Sequence, residues 1–131
     1  MTAPPPHRYP VRVQYEDTDM GGIVYHANYL KFCERARSDW VAGLGIDQRA
    51  LREAGTVFAV ARIEADFRAP ARFGEDLVVE TALEGASPAR ATLRQIVTRG
   101  GRTLYDSRAV LVAMTLAGRP VRLPDAIRAA P

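Results

Sequence analysis

Hydrophobic residues recur at helical spacing in one stretch of the chain, residues 29–44. The apolar positions are Tyr29, Phe32, Cys33, Ala36, Trp40 and Leu44. Because these positions are three or four residues apart, they predict an amphipathic helix with one buried stripe. Asn28 is the expected N-cap residue of this helix, and Gly43 and Gly45 mark its expected end.

Most of the remaining chain alternates between apolar and polar residues, which predicts strands. The expected strands are residues 9–15, 57–67, 77–84, 90–99 and 104–116. The second strand is the clearest and places one set of side chains on a single face: Val57, Ala59, Ala61, Ile63, Ala65 and Phe67. Residues 109–116 are apolar on both faces, which is typical of a central strand covered on both sides.

Turn and cap residues separate these elements. Asp47 is expected to cap a short second helix over residues 48–54, which Gly55 closes. Gly100 and Gly101 predict a hairpin between the last two strands. Pro124 restricts any final helix to a short tail.

The order of strand, long helix and four further strands predicts an α+β fold with a largely antiparallel sheet. The 131 residues are expected to form one domain, with residues 1–6 as a loose lead. One sheet packed on one principal helix leaves sheet edges and a sheet face open. We therefore expect a homo-oligomer.

Composition narrows the classes of partner. The net charge of +3 suits an anionic ligand, or equally an arginine-rich solvated surface, and no basic run suggests nucleic acid. The single cysteine, Cys33, cannot form an intramolecular disulfide and is expected to be a buried, inert thiol. No secretory signal or apolar run of about 20 residues is present, so the expected location is cytoplasmic, with no transmembrane segment.

Candidate chemical groups crowd into residues 15–28, just before the long helix. They include Tyr15, Glu16, Asp17, Asp19, Tyr25 and His26. The N–H donors at a helix start can polarise a substrate carbonyl, while a nearby carboxylate attacks it or activates a water molecule. An alternative interpretation is that the acids only cap the helix, and that His26 is a capping or surface residue.

Other chemistries have weaker support. Asp17 and Asp19 form a D-x-D pattern, but two carboxylates alone do not make a metal site, and no Cys/His ligand set accompanies them. We therefore expect neither a metal nor another cofactor. Nucleophile-elbow, P-loop and dinucleotide motifs are absent, and Gly21 and Gly22 are interpreted as a flexible or closely approached turn.

The stretch RVQYEDTDMGGIVYHANYLKFCERAR resembles the signature of the hotdog-fold 4-hydroxybenzoyl-CoA thioesterase family, and most closely its Tol-Pal-associated acyl-CoA thioesterases. The later FRAPARF stretch and the strand order agree with this resemblance. It implies a five-stranded antiparallel sheet wrapped around one long central helix. It also implies dimers, often paired into homotetramers, with acyl-CoA bound at the dimer interface.

The resemblance implies roles for individual residues. Asp19 matches the catalytic carboxylate, and His26 matches the residue whose backbone amide polarises the thioester. Tyr15, Gly22, Tyr25 and Asn28 fall in the matching substrate-binding stretch. Met20 departs from the alanine or proline of many relatives, and this departure affects the expected acyl pocket.

The positions of the residues that bind the CoA phosphates are less specific. Arg68, Arg72 and Arg90 are the candidates. The resemblance does not determine which of these three arginines serves.

The expected function is metal-independent hydrolysis of acyl-CoA to free acid and CoA, with Asp19 as nucleophile or general base. The alternative is a non-catalytic hotdog protein that binds acyl groups or CoA as a partner in an envelope or lipid-synthesis complex. A hotdog dehydratase is a third option, against which the intact Asp-Thr-Asp sequence argues. Tol-Pal or lipid-synthesis proteins are the partners that the resemblance suggests.

Overall fold

Five strands lie side by side in one antiparallel sheet, and a sixth, short strand extends it. A computed structural model describes residues 6–131, so most of the expected loose lead, residues 1–5, lies outside the described part. The strands are β1 His7–Arg12, β2 Thr56–Phe67, β3 Asp76–Ala86, β4 Arg90–Arg99, β5 Arg102–Thr115 and β6 Pro120–Val121. The helices are α1 Asn28–Gly43, α2 Gln48–Glu53 and α3 Asp125–Arg128, and a 3-10 turn spans Tyr15–Asp17.

The strand order is β1-β3-β4-β5-β2, and β6 pairs with the end of β5. β1 and β2 are therefore the two long edges of the sheet in this subunit. The expected α+β class is confirmed, as are the Gly100–Gly101 hairpin and the Asp47 cap of α2. None of the helices in residues 6–131 has the length and apolar character needed to cross a bilayer.

Helix α1 buries the predicted stripe against one face of the sheet, called here the inner face. Five of the six predicted positions are buried, and Leu44 is half-buried because it lies just past the helix end. The core divides into a cluster around the first half of α1, which includes Tyr29 and Phe32, and a second cluster around Trp40. The first cluster fixes the start of α1 firmly against the sheet.

The first strand is shorter than predicted, because β1 ends at Arg12 instead of residue 15. The chain then turns into the 3-10 segment, in which the carboxylate Oδ2 of Asp17 accepts a 2.8 Å hydrogen bond from the Gln14 N–H. This local bond competes with continuation of the strand. Tyr15 consequently lies in the turn with 81% of its surface exposed.

Asn28 is not the N-cap of α1, contrary to the prediction. Ala27 is the cap residue and makes no side-chain capping bond, whereas Asn28 is the first helical residue. Its amide Nδ2 instead donates a 2.9 Å hydrogen bond to Oδ1 of Asp17. Both side chains are buried, so this hydrogen bond gives each of these polar groups a partner. The bond also ties the 3-10 turn to the helix start.

The apolar residues of β2 do not share one face, which corrects the second-strand prediction. A bulge between Val60 and Arg62 shifts the register against β5. Ile63 consequently pairs with the inward-facing, buried Ala109, whereas Ala59 pairs with Val112, a position of the opposite parity on β5. An inserted residue reverses the alternation beyond it, and this reversal cannot be read from a continuous apolar-polar pattern.

The outer face of β5 is only partly covered in this subunit. Val110, Val112 and Met114 are half-buried, whereas the inner residues Leu111 and Ala113 are buried. The prediction that the strand is covered on both sides is therefore wrong for the single chain. The partly open apolar positions are available for contact with another subunit.

Candidate active site

The acidic turn before α1 has a rigid frame. Asp17 is 3% exposed, and its two carboxylate oxygens are taken by Gln14 N–H and by the Asn28 amide. Its backbone carbonyl also accepts from the Tyr25 N–H at 2.9 Å. Asp17 is thus a structural acid that holds the turn to the helix, rather than a surface charge.

Asp19 is held differently, since its side chain is exposed. Oδ1 accepts a 2.8 Å hydrogen bond from the Gly21 N–H, and the Asp19 carbonyl accepts from the Gly22 N–H at 2.9 Å. These bonds form a tight turn that fixes one carboxylate oxygen. No donor within residues 6–131 binds Oδ2, so this oxygen is available for chemistry.

The segment just before α1 carries a hydrogen-bond donor that has no partner among the described residues, the backbone N–H of His26. α1 has no side-chain N-cap bond, and the interpretation of Glu16, Asp17 and Asp19 as caps of its backbone is therefore wrong. The His26 N–H donates no hydrogen bond within residues 6–131. The imidazole of His26 packs against Tyr25 at 4.6 Å and edge-on to Phe67 at 6.3 Å, measured between ring centroids.

A pocket of about 440 Å³ brings the two predicted catalytic residues together. It is lined by Asp19, Ile23, Val24, His26, Tyr29, Phe67, Arg68, Ala69 and Pro70. Most of these side chains are apolar, and the ionisable groups come from Asp19, His26, Tyr29 and Arg68. A mostly apolar pocket with a few convergent polar groups is the usual form of a small-molecule site.

Burial suppresses ionisation of the phenol and thiol groups in the core around the pocket. Burial raises the pKa of Tyr29, which lines the pocket, and raises that of Tyr105, stacked on Tyr29 at 4.9 Å, to about 12. Burial also raises the pKa of Cys33 to about 11, which opposes any role as a nucleophile. The expected burial of Cys33 is confirmed.

The four predicted substrate-binding residues, unlike the two predicted catalytic residues, do not line this pocket in the single chain. The Tyr15 and Phe73 rings are T-shaped to each other, with 6.4 Å between their centroids, and Tyr25 is 44% exposed beside His26. Gly22 adopts a φ of 75°, which glycine allows without strain, and Asn28 is bound to Asp17. Their binding roles stay predictions.

The three candidate arginines lie in different places. Arg68 lines the pocket, whereas Arg72 is exposed on the loop before β3. Arg90 pairs with Val112 on β5, about 26 Å along the strand from Leu104, whose carbonyl accepts from the Arg68 N–H. Within one subunit, only Arg68 of the three reaches the pocket.

Reasoning from the sequence missed Phe67, Ala69 and Pro70 as pocket residues. They follow one another at the end of β2, and the only signal was their membership in the FRAPARF stretch. The distance in sequence from Asp19 hid their proximity. Within residues 6–131 no three His, Cys, Asp or Glu side chains group as a metal site would require, and metal independence stays a prediction.

One long helix packed on a single antiparallel sheet, with an acid-bearing turn at the helix start, defines the hotdog class of fold. The model of the thioesterase-like superfamily matches residues 13–130, and the chain belongs to this family. The expected family is thereby confirmed.

Named relatives agree over nearly the whole chain. The acyl-CoA thioester hydrolase YbgC of Escherichia coli O6:H1 is 36% identical over 122 residues, covering 92% of this chain and 91% of the relative. The acyl-CoA thioesterase YbgC of Haemophilus influenzae is 40% identical over 126 residues, covering 93% and 91%. The crystal structure of a probable thioesterase from Bartonella henselae superposes with a TM-score of 0.87 at 32% identity, covering 90% of this chain and 98% of that one.

Proposed function

We propose that this chain is an acyl-CoA thioesterase that hydrolyses the thioester bond to a free acid and CoA. The observation that carries the proposal is the pocket that Asp19 and His26 both line. Within residues 6–131, neither Oδ2 of Asp19 nor the His26 N–H, two residues before α1, has a hydrogen-bond partner. The names of the YbgC relatives support the choice of acyl-CoA as substrate.

In the proposed mechanism, the His26 N–H acts on the oxygen of the thioester, and the Asp19 carboxylate acts on its carbonyl carbon or on the attacking water. The His26 N–H donates to the thioester oxygen and stabilises the negative charge that develops there. Asp19 either attacks the carbonyl, giving an acyl anhydride that water then hydrolyses, or removes a proton from the water that attacks. In both routes the carbon–sulfur bond breaks and the departing thiolate takes up a proton.

We propose that the active form is a homodimer or a dimer of dimers. Edge strand β2 exposes apolar side chains, including 38% of Ile63 and 56% of Phe67, and Phe67 lines the pocket. An exposed apolar edge is a template for pairing with another copy. Pairing there would close the Phe67 side of the pocket.

We propose that residues 1–131 form one hotdog domain. The resemblance also suggests that the protein acts in the cytoplasm, with a partner in the Tol-Pal system or in lipid synthesis. Affinity purification of the native protein with Tol-Pal components would test the partnership. Absence of these components from the purified material would count against it.

The experiment for the proposed activity is release of CoA from a panel of acyl-CoAs of different chain length, with aromatic thioesters included. We expect saturable release for at least one class, unchanged by EDTA and by subsequent addition of Mg²⁺ or Zn²⁺. Binding without release across the panel would favour the non-catalytic alternative. Loss of activity in EDTA that one ion restores would contradict metal independence.

A further inference from the structure

One aromatic side chain, that of Phe67, belongs both to the pocket wall and to the edge strand of the sheet. Phe67 is the last residue of β2 and pairs with Tyr105 on β5, so the two side chains lie on the same face of the sheet. Tyr105 is buried there and stacks on Tyr29 of α1. The Phe67 ring therefore stands on the inner face, beside the helix and the pocket.

Three aromatic neighbours hold the Phe67 ring from one side. Its centroid lies 5.2 Å from that of Tyr105, 5.8 Å from that of Tyr29 and 6.3 Å from that of His26, and each pair is edge-on. Aromatic pairs favour this arrangement at such separations. The other side of the ring is open in the single chain, where 56% of the residue is exposed. The position of the ring is thus defined, although Phe67 is not part of the buried core.

The pocket wall formed by α1 and the segment before it is closely packed. Tyr29 is buried, and its ring lies nearly parallel to that of Tyr105 at 4.9 Å between centroids. Val24 is also buried, and its N–H donates to the Ala71 carbonyl at 2.8 Å. Close-packed groups of this kind do not move aside to admit a longer ligand.

The loop that follows β2 is fixed through its backbone. The Ala69 N–H donates to the Leu104 carbonyl at 3.2 Å, and the Arg99 guanidinium donates to the Pro70 carbonyl at 3.1 Å. Among the apolar residues that line the pocket, Phe67 is the largest that is exposed. Its side chain can therefore change in size without leaving a cavity in the core.

The chemistry around the Phe67 ring suits the acyl group of a thioester better than the pantetheine arm of its carrier. The neighbouring surfaces of the pocket are aromatic rings and aliphatic side chains. The pantetheine arm contains amide groups, and burying an amide without hydrogen-bond partners is costly. A hydrocarbon chain, in contrast, gains free energy when such surfaces remove it from water.

We propose that Phe67 determines the length of the acyl chain that the pocket accepts, because its ring closes the acyl end of the pocket. This inference rests on the proposed thioesterase function and adds the residue that limits the substrate. In the proposed dimer a second copy of β2 would lie along the same edge, so the ring could not swing away from the pocket. Phe67 acts through its volume and takes no part in the chemistry.

The test measures kcat/KM for straight-chain acyl-CoAs of increasing length in the wild type, Phe67→Ala and Phe67→Trp. For chains longer than the best wild-type substrate, kcat/KM relative to that substrate should rise at least about tenfold in Phe67→Ala, as expected when methylene groups gain room in an apolar pocket. Phe67→Trp should move the preference to shorter chains, because the indole fills more of the pocket. An unchanged preference in both variants, or a shift in the same direction in both, would overturn the inference.

The opposite directions of the two shifts separate this role from folding and assembly, because a damaged interface would lower kcat/KM in both variants without lengthening the preferred chain. If Phe67→Ala does not fold, Phe67→Leu replaces it with the same expected direction. Phe73→Ala is the matched control, since Phe73 is also exposed but does not line the pocket. A shift of preference in Phe73→Ala as large as that in Phe67→Ala would refute the assignment to Phe67.

A wild type that hydrolyses none of the acyl-CoAs would defeat the proposed activity without deciding the role of Phe67. Calorimetric titration with alkyl-CoA thioethers of increasing length, which cannot be hydrolysed at the sulfur, then decides it. The inference predicts that the ratio of Kd values for short and long thioethers shifts at least about tenfold toward the long ones in Phe67→Ala. The same ratio in both proteins, or no binding of any thioether to the wild type, would refute it.

Discussion

Two acids two residues apart have opposite environments. Asp17 is buried with both oxygens bound, whereas Asp19 is exposed with one oxygen bound to Gly21. The sequence pattern D-x-D does not distinguish them, because the difference arises from the 3-10 turn that directs the first side chain inward. The structure thus separates the acid that holds the turn from the acid that faces the pocket.

Gly21 controls the position of the Asp19 carboxylate. A Cβ at residue 21 would lie 3.1 Å from Oδ1 of Asp19, closer than ordinary contact. We expect Gly21→Ala to displace the carboxylate by a few tenths of an ångström and to lower turnover by about 3- to 10-fold, since small misplacements of catalytic groups are costly. Thermal unfolding should change little, because the neighbour is the end of an exposed side chain.

The measurement is kcat beside Tm for Gly21→Ala and for the control Gly43→Ala. Gly43 ends α1 and has no atom within 4 Å of an added Cβ. The control should keep its turnover. Unaltered turnover in Gly21→Ala would show that the position of the Asp19 carboxylate is not critical.

Cys33 is expected to be dispensable for chemistry. Because its pKa is raised to about 11, the thiol is protonated at pH 8 and becomes a thiolate only as the pH rises toward that value. Alkylation by iodoacetamide should be slow in the native protein at pH 8 and fast in urea. Cys33→Ala should lower stability by about 1 kcal/mol and keep turnover, and a folded but inactive variant would indicate a thiol nucleophile.

At the scale of the elements, α1 is joined to the sheet by a buried polar network as well as by its apolar stripe. Arg37 donates to Oε1 of Gln95 at 2.8 Å, and Gln95 donates to the Cys33 carbonyl at 2.9 Å and to Thr81 at 3.0 Å. Gln95 is fully buried, so it depends on these partners. The apolar periodicity of α1 predicts only apolar residues on its buried side and gives no signal for the buried Arg37.

Loss of Arg37 should therefore destabilise the fold. Arg37→Ala leaves Oε1 of Gln95 buried without a donor, and we expect the free energy of unfolding to fall by about 2–4 kcal/mol. Glu34→Ala removes the exposed partner of Arg37 and should cost less than about 1 kcal/mol. Urea unfolding of both variants measures the difference, and equal small losses would contradict the structural role of the network.

The sequence predicted the existence, type and order of the elements well, because each has a periodicity and a terminating glycine, proline or cap. It missed features that depend on partners distant in sequence. The bulge at residues 60–62 is defined by the pairing of β2 with β5, and the Arg68–Asp106 contact also requires the folded sheet. The Asp17–Asn28 bond depends on the path of the turn between these two residues. The pocket was predicted only in part for the same reason. Asp19 and His26 are close to each other in sequence, whereas Phe67, Ala69 and Pro70 at the end of β2 are far from both.

At the scale of the whole molecule, the proposed assembly depends on β2. Its exposed edge and the partly open outer face of β5 favour a dimer or a dimer of dimers. Ile63→Glu should shift the protein toward monomer, because a charge on this edge opposes pairing, and should lower activity. Ile63→Val keeps the edge apolar and should stay oligomeric. Light scattering at micromolar concentration measures the oligomeric state of both variants and of the wild type. A wild type that is monomeric and fully active would contradict a site that depends on two subunits.

The central claim is that Asp19 provides the carboxylate that hydrolyses the thioester, and single-turnover hydrolysis by Asp19→Asn tests it most directly. Loss of a general base or nucleophile should lower the rate by at least about 100-fold, with acyl-CoA binding and oligomeric state kept. Glu16→Gln, an exposed acid in the same turn, is the matched control and should keep its rate. Asp17→Asn should lose stability first, because an amide cannot accept both hydrogen bonds. If Asp19→Asn stays within a few-fold of the wild type while a folded Asp17→Asn is inactive, Asp17 and not Asp19 carries the chemistry.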